Sequence, residues 1–187
     1  MPANPNRKLS RRQFTNLSCS TALAVASLPG PSSAADKNGD WIDAHVHVWT
    51  ADTQAYPLSD QFSVADMQPA SFTAEELLAA CRPEGVQRIV LIQMSFYGFD
   101  HRYMLDIMRA APGKFAGVGL IDHRADDVVK RMEDLVEQGL RGFRLHSHGD
   151  AHQWVDQPGM ALLWKRAGQS GWAVCPFPCR PARSVTT

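Results

Sequence analysis

Apolar positions along the chain fall into two alternating rhythms. Short apolar runs of strand length are WIDAHVHVW (41–49), RIVLIQMSF (88–96), KFAGVGLID (114–122), LRGFRLHSH (140–148) and WAVCPF (172–177). Between them stand stretches whose apolar residues recur every three or four positions. FTAEELLAACRPEG (72–85) reads as a helix with a Thr73/Glu76 capping box and Gly85 placed to end it. HRYMLDIMRAAPG (101–113) carries Met104, Ile107, Met108 and Ala111 at helical spacing. ADDVVKRMEDLVEQG (125–139) aligns Val128, Val129, Met132, Leu135 and Val136 in one stripe, with acids expected in its first turn. PGMALLWKRAGQSG (158–171) reads as a fourth helix.

Strands alternating with helices of this length form parallel βαβ units with right-handed crossovers. An open doubly wound sheet and a (β/α)8 barrel of the TIM type both use such units. The Gly-rich phosphate turn of a dinucleotide fold is missing after the first strand, where His-x-His stands instead. That points to an α/β barrel, whose reactive groups sit at the C-terminal ends of strands. About four βα units and a fifth strand are present, the N-terminal half of such a barrel.

His45 and His47 fall on one face of the first strand by alternation, and Asp43 is expected to share it. Two neutral imidazoles side by side begin a metal site, or else form a hydrogen-bonded pair without metal. In the fourth strand Arg144 and His146 alternate with Phe143 and Leu145, and the sequence leaves open which set faces inward. Arg144 suits bidentate recognition of a carboxylate; a structural salt bridge is the plainer reading. Gln93 and Ser95, ending the second strand, are candidates to line the mouth. Asp122 and His123 end the third, with Asp122 best read as a helix N-cap. His101 opens a helix as a structural residue. Trp49, Tyr56 and Phe62 belong to or flank a long first loop that has the length of a lid. His148 and His152 follow the fourth strand and are expected to face solvent.

The set IDAHVHVW, YPL (56–58), FTAEELLA and RGFRLH, in this order, resembles the amidohydrolase-related family, in particular its TIM-barrel lactonases and metal-dependent hydrolases, over about Trp41 to Pro176. The resemblance implies hydrolysis of a lactone or related carboxylic ester or amide of a small-molecule substrate. It makes His45 and His47 the first-strand pair, which in some members binds a divalent metal, zinc foremost. In others, including a dicarboxylate lactonase type, the pair polarises a carbonyl without metal. Arg144, His146 and Gln93 would hold substrate. The family completes its site with a histidine ending the sixth strand and an aspartate ending the eighth, the usual general base. A whole barrel takes about 250 residues, and neither position lies in this sequence. The isolated chain is therefore expected to turn over little or nothing. A half-barrel interaction module or homodimer, and a metal-dependent decarboxylase of the same superfamily, are the rival readings.

Charge and composition narrow the setting. The formal net charge of zero gives no footprint for nucleic acid or an anionic surface. Residues 1–35 open basic around SRRQF, continue with a modest apolar stretch and end small and polar. That is the layout of a twin-arginine export signal, with an apolar run too short to span a bilayer, and it predicts a periplasmic protein. Residues 36–176 form the barrel-like domain. Cys81 and Cys175 read as inert thiols, with a Cys175–Cys179 bridge permitted but not required. Residues 177–187 lose all periodicity, as a shifted reading frame would.

Overall fold

The computed structural model describes residues 41–147 and 154–177. The export-signal segment, His148, His152, Cys19, Cys179 and the tail after Phe177 lie outside these described residues. The described part belongs to one compact unit, residues 36–187. Its strands are β1 (Trp41–Val46), β2 (Val86–Ile92), β3 (Phe115–Leu120), β4 (Leu140–His146) and β5 (Ala173–Phe177). Helices α1 (Ala74–Cys81), α2 (Arg102–Ala110), α3 (Val128–Glu137) and α4 (Pro158–Ser170) connect them.

All four strand pairings are parallel, and the order in the sheet equals the order in the chain. A doubly wound sheet reverses its order at a switch point; this one does not. The five strands form a curled half-barrel with the helices outside. Pro176 is accommodated because β5 is an edge strand, where a missing N–H costs no ladder bond.

Two apolar clusters join the outer face of the sheet to the helices. Phe143 and Leu145 of β4 pack with Met132, Met160, Leu163 and Ala167. Ile89 and Leu91 of β2 pack with Leu77, Cys81, Met104 and Leu105. Since Phe143 and Leu145 face the helices, Arg144 and His146 face inward, which settles the alternation left open by the sequence.

Helix starts follow local chemistry. Thr73 Oγ1 accepts the Glu76 N–H while the Glu76 carboxylate accepts the Thr73 N–H, a complete capping box. One 3-10 turn then runs to Gly85, whose φ of 75° only glycine adopts without strain. His101 occupies the N-cap position of α2, as expected. Two expectations are corrected. Asp122 caps no helix: its carboxylate accepts the Arg124 N–H and pairs with the Arg124 guanidinium in a tight turn. Helix α3 begins six residues later at Val128, so Asp126 and Asp127 precede its first turn, and Asp127 pairs with Arg131 instead. Phe177 also belongs to β5 and not to the tail.

Candidate functional site

Strand β1 carries a bulge. Asp43 is opposite Ile89 and Val46 is opposite Leu91, so three steps on β1 match two on β2. Ile89 and Leu91 both face the helices, so Asp43 and Val46 do too. Asp43 therefore lies on the opposite face from His45 and His47, contrary to simple alternation. Its charge is felt by Cys81 of α1, whose thiol is raised first by burial and then by Asp43. The Asp43 carboxylate accepts the His45 N–H at 3.1 Å, which ties the two sides of the bulge together.

The bulge leaves His45 and His47 on the inner face with their rings edge to face at 5.2 Å. His47 is fixed from both ends. Its Nδ1 lies 2.9 Å from the Ile92 carbonyl oxygen, and its Nε2 lies 3.4 Å from an Arg144 guanidinium nitrogen. A carbonyl only accepts and a guanidinium only donates, so Nδ1 carries the proton and Nε2 the lone pair. Burial holds the His47 pKa below the ordinary 6.5; the Ile92 carbonyl works against this, and the charges of Arg144 and His45 reinforce it. The ring is neutral near pH 7.

Arg144 is 7% exposed. Its guanidinium stacks over the Phe177 ring at 4.4 Å, and its Nε is buried without a hydrogen-bond partner. No carboxylate pairs with it among the described residues, so the salt-bridge reading of this residue finds no acid there. Among the described residues nothing anionic balances this buried guanidinium, and its N–H groups suit an anion. His146, next inward on β4, packs against Phe177 at 5.4 Å.

A cavity of about 340 Å3 opens beside His146 and Leu120 at the C-terminal strand ends, with Ser59, Phe62, Ser95 and Phe99 in its wall. Phe62 and Ser95 are thus placed as the loop and strand-end readings expected. Gln93 is not brought into the cluster: its side-chain amide donates to the Gly98 and Asp100 carbonyls and shapes the loop after β2. Trp49 and Tyr56 anchor the first loop, Trp49 through the Pro69 carbonyl and Tyr56 through the Asp106 carboxylate. Ser59 and its neighbours escaped sequence reasoning because a polar loop has no periodicity to fix its path.

The amidohydrolase family model matches residues 42–176. The chain belongs to the amidohydrolase family. Members of this family are typically metal-dependent. A 2-pyrone-4,6-dicarboxylate hydrolase of Comamonas testosteroni is 24% identical over 133 residues, 71% of this chain and 42% of that protein. A crystal structure from Acinetobacter baumannii, described as a "probable 2-pyrone-4,6-dicarboxylic acid hydrolase" with citric acid bound, aligns with a TM-score of 0.58 at 20% identity. It covers 74% of this chain and 49% of that one. An amidohydrolase from Burkholderia multivorans with bound zinc aligns at 0.53 and 20% identity, over 71% and 47%. The chain spans about half the length of these relatives.

Zinc takes three or four protein donors. His45 and His47 offer two, and no third His, Cys, Asp or Glu joins them among the described residues. The lone pair of His47 Nε2 already faces a cation. The described residues alone do not fit a zinc site.

Proposed function

We propose that this chain carries the substrate-anchoring half of a lactone-hydrolase site. The observation that supports it is Arg144: a buried guanidinium on the inner face, stacked on Phe177, braced by His47 and lacking an acid among the described residues. Its unpartnered Nε and neighbouring N–H groups suit a carboxylate, whose binding restores charge balance in a low-dielectric site. His47 orients Arg144, because its Nε2 accepts from the guanidinium while its Nδ1–H is held by Ile92. His45 stands edge-on beside it, at the strand end where a lactone carbonyl would lie. His146 forms the wall toward the cavity. The names of the relatives support the substrate class, since a pyrone dicarboxylate is a lactone bearing carboxylates. In this reading the described residues bind and orient; they include no group placed to activate water. The layout of residues 1–35 adds a periplasmic location to the proposal.

Isothermal titration of the chain with 2-pyrone-4,6-dicarboxylate and with 2-pyrone-6-carboxylate tests the anchor. Binding of at least one acid that Arg144→Met removes is expected. Equal binding by wild type and Arg144→Met would exclude Arg144 as the anchor.

A further inference from the structure

The cavity at the strand ends lies next to the anchor along the inner face, with Arg144 itself outside its lining. Leu120 is the register partner of Arg144, His146 lies two residues beyond it on the same face, and both line the cavity. A ligand whose carboxylate lay on Arg144 and whose body followed the inner face past His146 would direct its far end toward this space.

The wall there has a consistent character. Phe62, Phe99 and Leu120 are apolar, Ser59, Gln61 and Ser95 are neutral and polar, and Asp60 is an acid. No Lys or Arg lines the cavity among the described residues. The wall is also built. The Ser59 N–H donates to the Phe96 carbonyl at 2.8 Å, the Phe62 N–H donates to the Ser59 carbonyl at 3.0 Å, and the Phe62 ring packs on Phe96 at 5.4 Å. A Cβ on Gly98 would come within 3.2 Å of Ser59 Cβ, so the two loops are in close contact.

We propose that the site selects a monocarboxylate lactone whose far end is uncharged, apolar or hydroxylated, in preference to a dicarboxylate. This rests on the reading of Arg144 as the carboxylate anchor and narrows it. One carboxylate finds a guanidinium. A second, directed into the cavity, finds Asp60 and, among the described residues, no cation, and like charges repel. Hydroxyl and carbonyl groups there would instead meet the serine hydroxyls and the Gln61 amide.

The test uses isothermal titration of the 187-residue chain with 2-pyrone-6-carboxylate and 2-pyrone-4,6-dicarboxylate, on wild type, Asp60→Asn and Asp60→Lys. Asp60 is exposed, so both variants keep the fold. The monoacid is expected to bind at least about fivefold more tightly than the diacid, the scale of one close charge pair in water. Asp60→Asn should narrow that gap, and Asp60→Lys should close or reverse it. A diacid that binds wild type as well as the monoacid does, with Asp60→Lys changing neither, overturns the selectivity while Arg144→Met still abolishes binding and the anchor stands. Failure of both acids to bind wild type overturns the anchor and the selectivity together.

Discussion

The Arg144 guanidinium meets the His47 imidazole at 3.4 Å across 97 residues of chain. Their strands are not neighbours: β2 and β3 lie between them. In a flat sheet β1 and β4 would stand about 14 Å apart, three strand spacings. The contact exists because the sheet curls and its inner side chains converge. It also has an electrical consequence, since a fixed cation on Nε2 opposes protonation of His47.

Replacing Arg144 with Met should therefore raise the His47 pKa toward 6.5, because one of the influences lowering it is removed while burial and the Ile92 carbonyl remain. Proton or nitrogen NMR titration of the imidazole reads this directly. Arg144→Lys keeps the charge and should leave the pKa nearer that of the wild type. An unmoved His47 resonance in the Met variant would show that the two groups are not coupled.

Acid should weaken the fold through His101. Burial pushes its pKa down to about 4, against the pull of the Leu120 carbonyl and the Asp100 charge. The unfolded chain takes up this proton near pH 6.5, and the folded chain resists it until about pH 4. Stability is therefore lost as pH falls through that window, by roughly 3 kcal/mol from this group, and not further below it. His47 acts with the same sign. Thermal melts at pH 7 and pH 4.5 should show a large drop for wild type and a much smaller one for His101→Gln.

Two glycines of α4 should respond oppositely to alanine. A Cβ on Gly159 would lie 2.0 Å from the His123 carbonyl oxygen, so backbone must move. Gly159→Ala is expected to cost at least about 2 kcal/mol. Gly168, in the same helix, has open space around its Cβ position, and Gly168→Ala should stabilise by up to about 1 kcal/mol. Urea denaturation of the two variants measures both, and similar midpoints would remove the clash argument.

Periodicity made the elements legible. The five strands and four helices lie where the apolar rhythm puts them, because burial on one face leaves a repeat in the sequence that needs no tertiary knowledge. The absence of a Gly-rich turn after the first strand, where His45 and His47 stand instead, was enough to favour the barrel order. The boundaries that moved, at Asp122 and Asp127, moved because each carboxylate found a nearby arginine, a competition invisible to capping rules. In the site, His45, His47, Arg144 and His146 were legible as residues, and their partners were not. The Arg144–His47 contact depends on sheet curvature, which is a property of five strands together. Gln93 shows the opposite case: its side-chain amide donates to two carbonyls of its own loop, Gly98 and Asp100, a local pairing that strand alternation does not announce.

The bulge after Asp43 has a consequence for how such a strand changes over generations. Below it, odd-numbered residues look toward the helices; above it they look inward. The strand is thus read in two phases, and the join is held by one carboxylate on one amide. Substitutions on either side leave the phases intact. Loss of a single codon between Asp43 and His45 would remove the extra residue, restore plain alternation from Ile89 to Leu91 and leave both imidazoles on the inner face. What the extra residue allows is therefore an acid near Cys81 on the helical side that still holds the His45 amide, one residue of slack that serves Asp43 more than the histidine pair.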